Sequence, residues 1–218
     1  PASNTLSWRW VAGLQTVGKT YLATSENIAR FTNGRFAPKG LATVATIPTE
    51  MPVCAAQPLP KVAYFDAQTP AFLLLTPEDL HPESLLGASA KINGAGMLFD
   101  PETLGGDNAR AFVAGAVHDA AERVGKNFKC PAHVLNNLDG ASLIAQARET
   151  GAKQIITAYA PVGPVADALA RIAPSLASAG IPLVHIRRAW DERFWPHATK
   201  GFFPFKERIP KILQDMGI

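Results

Sequence analysis

The segment from residue 154 to residue 186 constrains the fold of this chain more than any other part. Residues 154–159 and residues 182–186 are apolar runs typical of buried strands. Pro164 stands where a first helical turn prefers proline, and the apolar positions after it predict a helix that Gly180 ends. A strand, a helix and a strand in this order form a βαβ unit, so we expect parallel strands and a right-handed crossover.

Further predicted elements surround this unit and extend it to an α/β domain over residues 71–218. Continuous apolar runs indicate the strands, while capping residues and apolar stripes indicate the helices. The predicted strands are residues 71–76, 96–99 and 133–135, and the predicted helices are residues 107–124 and 139–151. The fold class is therefore predicted as α/β, with a parallel Rossmann-like sheet and flanking helices.

Two regions of different composition precede the α/β domain. Residues 1–36 are polar and aromatic, whereas residues 37–70 contain six prolines. Proline removes a backbone donor and fixes φ, so residues 37–70 are predicted to be an extended connector without long helices. The apolar residues among those prolines indicate that the connector lies packed along a surface.

Composition excludes several classes of protein. Apolar residues make up 47% of the chain and charged residues 18%, which is typical of a globular protein. No apolar run reaches the roughly 18 residues of a membrane span, so no membrane partner is expected. The five histidines show no metal-ligand spacing, and no metal site is expected. Cys54 and Cys130 lie far apart and outside any CxxC pattern, which favours free thiols in a reducing cytoplasm.

No Gly-rich phosphate motif or paired-carboxylate motif is present, so a ligand position follows only from the fold. The helix starts at Gly106 and Gly163 are either phosphate sites or the ordinary turns that any α/β domain needs. A small molecule bound to a parallel sheet lies at the carboxyl ends of the strands. We therefore expect Thr76, Tyr159 and Gly163 to be near such a ligand.

Charge is unevenly distributed along the chain. Residues 1–40 carry five Lys or Arg against one acidic residue, residues 41–185 carry nine against thirteen, and residues 186–218 carry seven against four. The basic ends are either ordinary solvated surface or faces for a polyanion or an acidic domain. Residues 187–205 also combine basic and aromatic side chains, which fits either a domain-docking surface or nucleic-acid binding.

The N-terminal segment contains an amide and two indoles at close spacing. In a helix, Asn4 and Trp8 are four residues apart and share one face, whereas Trp10 points elsewhere. An amide can bond a ring nitrogen while an indole packs beside the ring system, so one interpretation is a site for an aromatic heterocycle. The alternative is that both tryptophans belong to the core of a helical domain.

The same segment resembles the end of the flavin domain of the photolyase/cryptochrome family. The residues that carry the resemblance are 7–13, SWRWVAG, followed by 19–22, KTYL, and 27–36, NIARFTNGRF. Residues 155–167 and 180–184 are also similar to the α/β domain of that family. The resemblance implies that Asn4 faces the reactive flavin nitrogen and that Trp8 is the proximal tryptophan of the electron-transfer chain beside FAD. It implies that Trp10 is the second aromatic of the pair, near the flavin and its substrate.

The resemblance has further implications for activity and architecture. Residues 1–36 would be a short helical remnant of an FAD-binding domain, whose larger part would precede the given chain as its partner. The parent would be a deoxyribodipyrimidine photolyase, a carbon–carbon lyase that uses light-driven electron transfer from FAD to repair pyrimidine dimers in damaged DNA. This fragment alone is not expected to repair DNA. The resemblance leaves open whether an antenna chromophore is present.

Two alternatives to repair remain at this point. One is a cryptochrome-type photoreceptor that keeps the flavin and performs no repair. The other is a non-catalytic α/β module that binds or scaffolds.

Overall fold

The computed structural model describes residues 24–41, 43, 58–62, 65–87, 89–199 and 201–218. Contacts divide the chain into two units, Pro1–Ala56 and Gln57–Ile218. In the first unit, helix α1 spans Ser25–Phe31. The Thr24 hydroxyl accepts a hydrogen bond from the Asn27 N–H over 3.1 Å and so caps the start of this helix.

The second unit alternates strands and helices. Its elements are β1 Ala71–Leu75, β2 Ile92–Leu98, α2 Asp107–Phe128, β3 Ala132–Leu135, α3 Gly140–Glu149, β4 Gln154–Ala158, α4 Pro164–Ser178, β5 Leu183–Ile186, α5 Ala189–Phe194, α6 Phe202–Lys206 and α7 Ile209–Asp215. Short 3-10 helices cover Pro82–Ser84, Pro101–Thr103 and Trp195–His197. The five strands form one sheet in the order β3-β2-β1-β4-β5, and every pairing is parallel. The predicted α/β class with a parallel Rossmann-like sheet is confirmed.

Strand β1 lies at the centre of the sheet, and all five of its residues are buried. Leu73 and Leu75 pack into a core with helix α2, whereas Phe72 and Leu74 pack into a second core with α3 and α4. Successive side chains of a strand point to opposite faces, so an all-apolar strand needs cover on both faces. The apolar run from residue 71 therefore predicts a strand with helices on both sides, as observed.

Strand β2 begins earlier than predicted, at Ile92 and not at residue 96. The strand contains Gly94 and Gly96, which have low strand propensity and weaken the strand pattern in the sequence. A Cβ on Gly96 would lie 2.5 Å from Leu135 Cδ1 and 3.2 Å from Phe72 Cε1. The glycine is therefore needed because neighbouring side chains occupy the space above it.

The helices begin close to their predicted starts. Asp139 Oδ2 accepts a hydrogen bond from the Ser142 N–H over 2.8 Å, which caps α3. Helix α4 begins at Pro164 directly after Gly163, in agreement with the βαβ unit predicted from the sequence. No described helix is long and apolar enough to cross a membrane.

The C-terminal part contains three short helices that the sequence reasoning did not predict. Phe194 and Ile212 are buried there, and the Trp190 ring stacks on Phe194 with centroids 4.4 Å apart. Phe202 and Phe203 remain exposed. Whether this surface docks a domain or binds nucleic acid stays a prediction.

Replacing Gly96 with Val tests the close packing around β2. We expect the free energy of unfolding to fall by about 1–3 kcal/mol, because the added atoms collide with Leu135 and Phe72. As a control, Gly115→Ala lies inside helix α2 with nothing within 4 Å of the new Cβ, and it should add about 0.5–1 kcal/mol. Urea unfolding measures both. Equal stabilities of the Gly96 variant and the wild type would contradict the packing account.

Candidate functional site at the carboxyl edge of the sheet

The strand order reverses direction at β1, which has β2 on one side and β4 on the other. The helices on the two sides lie on opposite faces of the sheet, α2 on one face and α3 with α4 on the other. In open α/β sheets, this reversal leaves a crevice at the carboxyl ends of the strands, where ligands bind.

A crevice of about 570 Å³ lies at this edge, and we call it the acidic crevice. Loops that follow β1, β2 and β3 form one side, and the first turns of α4 form the other. Its lining residues are Pro77, Glu78, Leu98, Asp100, Thr103, Leu104, Asn137, Leu138, Pro164, Val165, Asp167, Ala168 and Arg171. It therefore combines four large aliphatic side chains with three carboxylates and a single guanidinium.

The chain positions two of these carboxylates firmly. Asp100 follows β2, and its Oδ1 accepts a hydrogen bond from the Glu102 N–H over 3.1 Å, which starts a 3-10 helix. Asp167 lies in the first turn of α4, where a negative charge is favourable to the helix dipole. None of the ion pairs between described residues uses Glu78, Asp100 or Asp167. The crevice therefore carries net negative charge.

A smaller cleft of about 200 Å³ lies where β1 and β4 end. Thr76 and Tyr159, two of the residues expected near a ligand, both line this cleft. Gly163, the third, is the residue before α4 and adjoins Pro164 of the acidic crevice. Glu78 lines both cavities, so the cleft and the acidic crevice adjoin.

An ion pair fixes the loop after β1. The Arg188 guanidinium binds the Asp79 carboxylate through both terminal nitrogens and also donates to the His81 carbonyl over 2.8 Å. Burial raises the pKa of Asp79, but the hydrogen bonds from Arg188 and the His81 N–H lower it more, so the net pKa lies below the ordinary value. Asp79 is therefore ionised at neutral pH.

A second arginine holds the same loop from the other side. Arg123 of α2 donates to Glu83 Oε1 over 2.5 Å and to the Leu80 carbonyl over 2.8 Å. Hydrogen bonding to Asp119 is the largest contribution that raises the pKa of Arg123. The described part of the connection from β1 to β2 contains a 3-10 turn and no α-helix, and these two arginines hold it by side-chain hydrogen bonds while Leu86 packs into the core.

Neither glycine-led helix start has a side-chain cap. Gly106 precedes α2 with φ 93°, and Gly163 precedes α4 with φ 155°, conformations that favour glycine. A phosphate role for either stays a prediction. Among the residues with described positions, no group of three or more His, Cys, Asp or Glu is placed to hold a metal ion.

The predicted flavin residues Asn4, Trp8 and Trp10 lie outside the described residues. The structure therefore does not test whether Asn4 and Trp8 share a face, or whether either contacts FAD. The FAD, the missing flavin-domain segment and the damaged DNA inferred from the resemblance stay untested.

Comparisons with known proteins return no family profile and no curated protein that match the chain. Among solved structures, a TcdA (CsdL) protein is similar at 19% identity, with a TM-score of 0.34, over 55% of this chain and 48% of that one. The E. coli tRNA N6-threonylcarbamoyladenosine dehydratase TcdA, in complex with AMP, is similar at 21% identity, with a TM-score of 0.31, over 55% and 51%. The match spans about half the length of these proteins, and similarity this low assigns no activity to the chain.

The comparisons contradict the photolyase/cryptochrome resemblance. The two solved structures named above are TcdA proteins, neither photolyases nor cryptochromes. The predictions of a photolyase, of a lyase and of DNA repair are therefore wrong, and the comparisons support neither the photoreceptor nor the scaffold alternative. The physical reason is that residues 155–184 form a strand, helix and strand, which any doubly wound domain contains, so their similarity does not identify a family.

Sequence reasoning missed the acidic residues of the crevice. Asp100 directly follows the predicted strand 96–99, and Asp167 falls in the predicted first turn of α4. Both positions therefore belong to the carboxyl edge, where strand ends meet. Applying that rule to every strand would have found them.

Replacing Asp79 with Asn tests the ion pair across pH. Because the folded-state pKa is lowered, the ion pair stabilises the fold above the unfolded pKa of about 3.9 and stops doing so as pH falls through the folded value. We expect a loss of about 1–3 kcal/mol in the free energy of unfolding at pH 7, shrinking below pH 4. Urea unfolding from pH 3 to pH 7 measures it, with the exposed Asp215→Asn as the control. An equal loss at pH 3 and pH 7 would rule out a charge effect.

Proposed function

We propose that residues 58–218 bind a small polar molecule in the acidic crevice, and that this ligand is a nucleoside or a compound of similar chemistry. The observation that carries the proposal is the convergence of three carboxylates and four large aliphatic side chains in a cavity of about 570 Å³ at the reversal of the strand order. Cavities of about 300–1,000 Å³ with apolar walls and a few polar groups are typical ligand sites.

The charge of the crevice supports a neutral or cationic ligand. Glu78, Asp100 and Asp167 accept hydrogen bonds and repel phosphate, while Arg171 is the one cation among the lining residues. Hydroxyl and amino groups donate to carboxylates, as a ribose does to the acidic residue after the second strand of dinucleotide-binding folds. Asp100 stands two residues after the end of β2 and is placed for such a bond.

The start of α4 gives a second argument against a phosphate ligand. A helix N-terminus attracts anions through its free N–H groups and its dipole. Here Asp167 already supplies a negative charge within the first turn. A ligand phosphate therefore stabilises this helix start less than it would stabilise an uncapped helix start without an acidic residue.

The aliphatic side chains support a ligand with a flat apolar part. Leu98 ends β2, Leu138 follows the neighbouring strand β3, and Val165 of α4 lines the same cavity. Leu138 and Val165 also pack against the core cluster that α3 and α4 form on the sheet. A heterocyclic base between these side chains would remove apolar surface from water while the sugar hydroxyls meet the carboxylates.

Titration with adenosine and with AMP tests this function. We expect adenosine to shift the amide resonances of Asp100, Asn137 and Val165, and AMP to bind at least tenfold more weakly because of phosphate repulsion. The double variant Asp100→Asn with Asp167→Asn should weaken adenosine binding at least tenfold, since each hydrogen bond to a charged carboxylate is worth about 1 kcal/mol more than one to the neutral amide oxygen of asparagine.

The control for that variant is Asp215→Asn, the same chemical change at an exposed position of α7 outside the crevice. It should leave adenosine binding unchanged. Equal affinities for adenosine and AMP, or shifts that map elsewhere, would refute the assignment.

We also propose that the chain works in the cytoplasm. Cys130 is a free, half-buried thiol, and burial raises its pKa, so the thiolate that reacts in oxidation is scarce. A free thiol of this kind fits a reducing compartment. Cell fractionation of the expressed chain checks the location, and recovery from the secreted fraction would contradict it.

A further inference from the structure

A third cavity, of about 400 Å³, lies on the other side of α4, and we call it the Tyr159 pocket. Its lining residues are Pro60, Lys61, Val62, Tyr159, Ala160, Ala166, Ala170, Leu183 and His185. Ala166 and Ala170 are one helical turn apart and leave room beside the helix. Helix α4 therefore separates the two cavities, because Asp167 and Arg171 line the acidic crevice.

His185, one of the residues that line the Tyr159 pocket, has a buried ring nitrogen without a partner. His185 Nδ1 is shielded from solvent and makes no hydrogen bond within the described structure. Burial lowers the pKa of His185, so the ring is neutral at pH 7 and carries one N–H. A buried polar atom of this kind costs stability unless a ligand or water meets it.

Arg187 lies directly behind the pocket wall. Its side chain is 4% exposed, and its guanidinium carbon lies 4.8 Å from the centroid of the Tyr159 ring. Nε donates to Glu192 Oε1 over 2.6 Å, and Nη2 donates to the Pro60 carbonyl over 2.8 Å. These bonds hold two elements of the wall, the Tyr159 ring and the segment at Pro60, in fixed positions.

One guanidinium nitrogen of Arg187 remains unused. Nη1 is buried and finds no acceptor among the described residues. An arginine that is bound on two nitrogens and lacks an acceptor on the third leaves a positive partial charge next to the pocket. Glu192 balances the charge of this guanidinium, so Arg187 holds the wall in place and Lys61 supplies the positive charge of the pocket.

The charge of the Tyr159 pocket is opposite to that of the acidic crevice. Lys61 is exposed among its lining residues, and none of the described residues that line it is Asp or Glu. Val62 and Leu183 give the pocket apolar walls. An anionic head beside Lys61 and His185, with an apolar body against those walls, matches both properties.

We propose that the Tyr159 pocket binds a small organic carboxylate with a compact apolar body. The carboxylate accepts hydrogen bonds from Lys61 and from the N–H of the neutral His185 ring, which lines the pocket. The apolar body lies between Val62, Leu183 and the two alanines of α4. This site is separate from the acidic crevice and takes a ligand of opposite charge.

Three probes of matched shape test the proposal on the full chain: 1-naphthoate, 1-naphthamide and 1-naphthylmethylamine. We expect naphthoate to shift the amide resonances of Tyr159, Ala166 and Leu183, and to bind at least fivefold more tightly than the amide. The amine should bind more weakly still, because Lys61 repels it. Equal affinities of the acid and the amide, or tighter binding of the amine, would overturn the proposal.

Two variants and their controls locate the site. Ala170→Trp fills the pocket from an exposed position of α4 and should weaken naphthoate at least tenfold, whereas Ala177→Trp, exposed further along the same helix, should not change it. Lys61→Gln should weaken naphthoate about threefold, the scale of an exposed charge pair, whereas Lys91→Gln, before β2, should not.

The double crevice variant Asp100→Asn with Asp167→Asn separates this proposal from the adenosine site. Naphthoate binding should survive that variant. Loss of naphthoate binding there, or unchanged binding in both Ala170→Trp and Lys61→Gln, would refute a carboxylate site at Tyr159.

Discussion

Burial of strand β1 on both faces is the constraint on which the rest of the α/β unit depends. A strand that is apolar at every position cannot leave either face in water, so helices must cover both sides. Helix α2 covers one face, and the chain then crosses over so that α3 and α4 cover the other. That crossover places β4 on the free side of β1 and opens the crevice between the strand ends. The position of the site therefore follows from the burial of β1 on both faces.

Helix α4 gives the carboxyl edge its chemical asymmetry. One side of its first turns presents Asp167 and Arg171 to a cavity with two further carboxylates, and the other side presents only alanines to a cavity with a lysine. The electrostatic potentials of the two cavities beside this helix have opposite signs, so the cavities suit ligands of different charge. Carboxylates and ammonium groups attract different molecules even where the surrounding walls are equally apolar. Side chains three or four residues apart on a helix share a face, so the two alanines line one cavity and the two charged residues line the other.

The sequence allowed prediction of the elements whose pattern is local. The β4–α4–β5 unit and β1 were correctly predicted because apolar runs, Pro164 and Gly180 mark them within a few residues. Only the second part of strand β2 was predicted. Gly94 and Gly96 are required there because side chains from other elements, Phe72, Thr150 and Leu135, occupy the space beside them. The ion pair of Asp79 with Arg188 joins positions 109 residues apart, and no local sequence pattern indicates it. The family resemblance was wrong because it relied on a short motif and on a strand–helix–strand unit shared by many folds.

The parallel pairing of β1 with β4 has a consequence for synthesis of the chain on the ribosome. Strand β1 emerges early, yet one of its two edges finds its partner only after β2, α2, β3 and α3 have been made. Until then a fully apolar strand has an open edge, which is the kind of surface that recruits other chains. Folding of this domain therefore depends on non-local strand pairing, and a chain truncated before residue 158 would expose the unpaired edge of β1 and tend to aggregate.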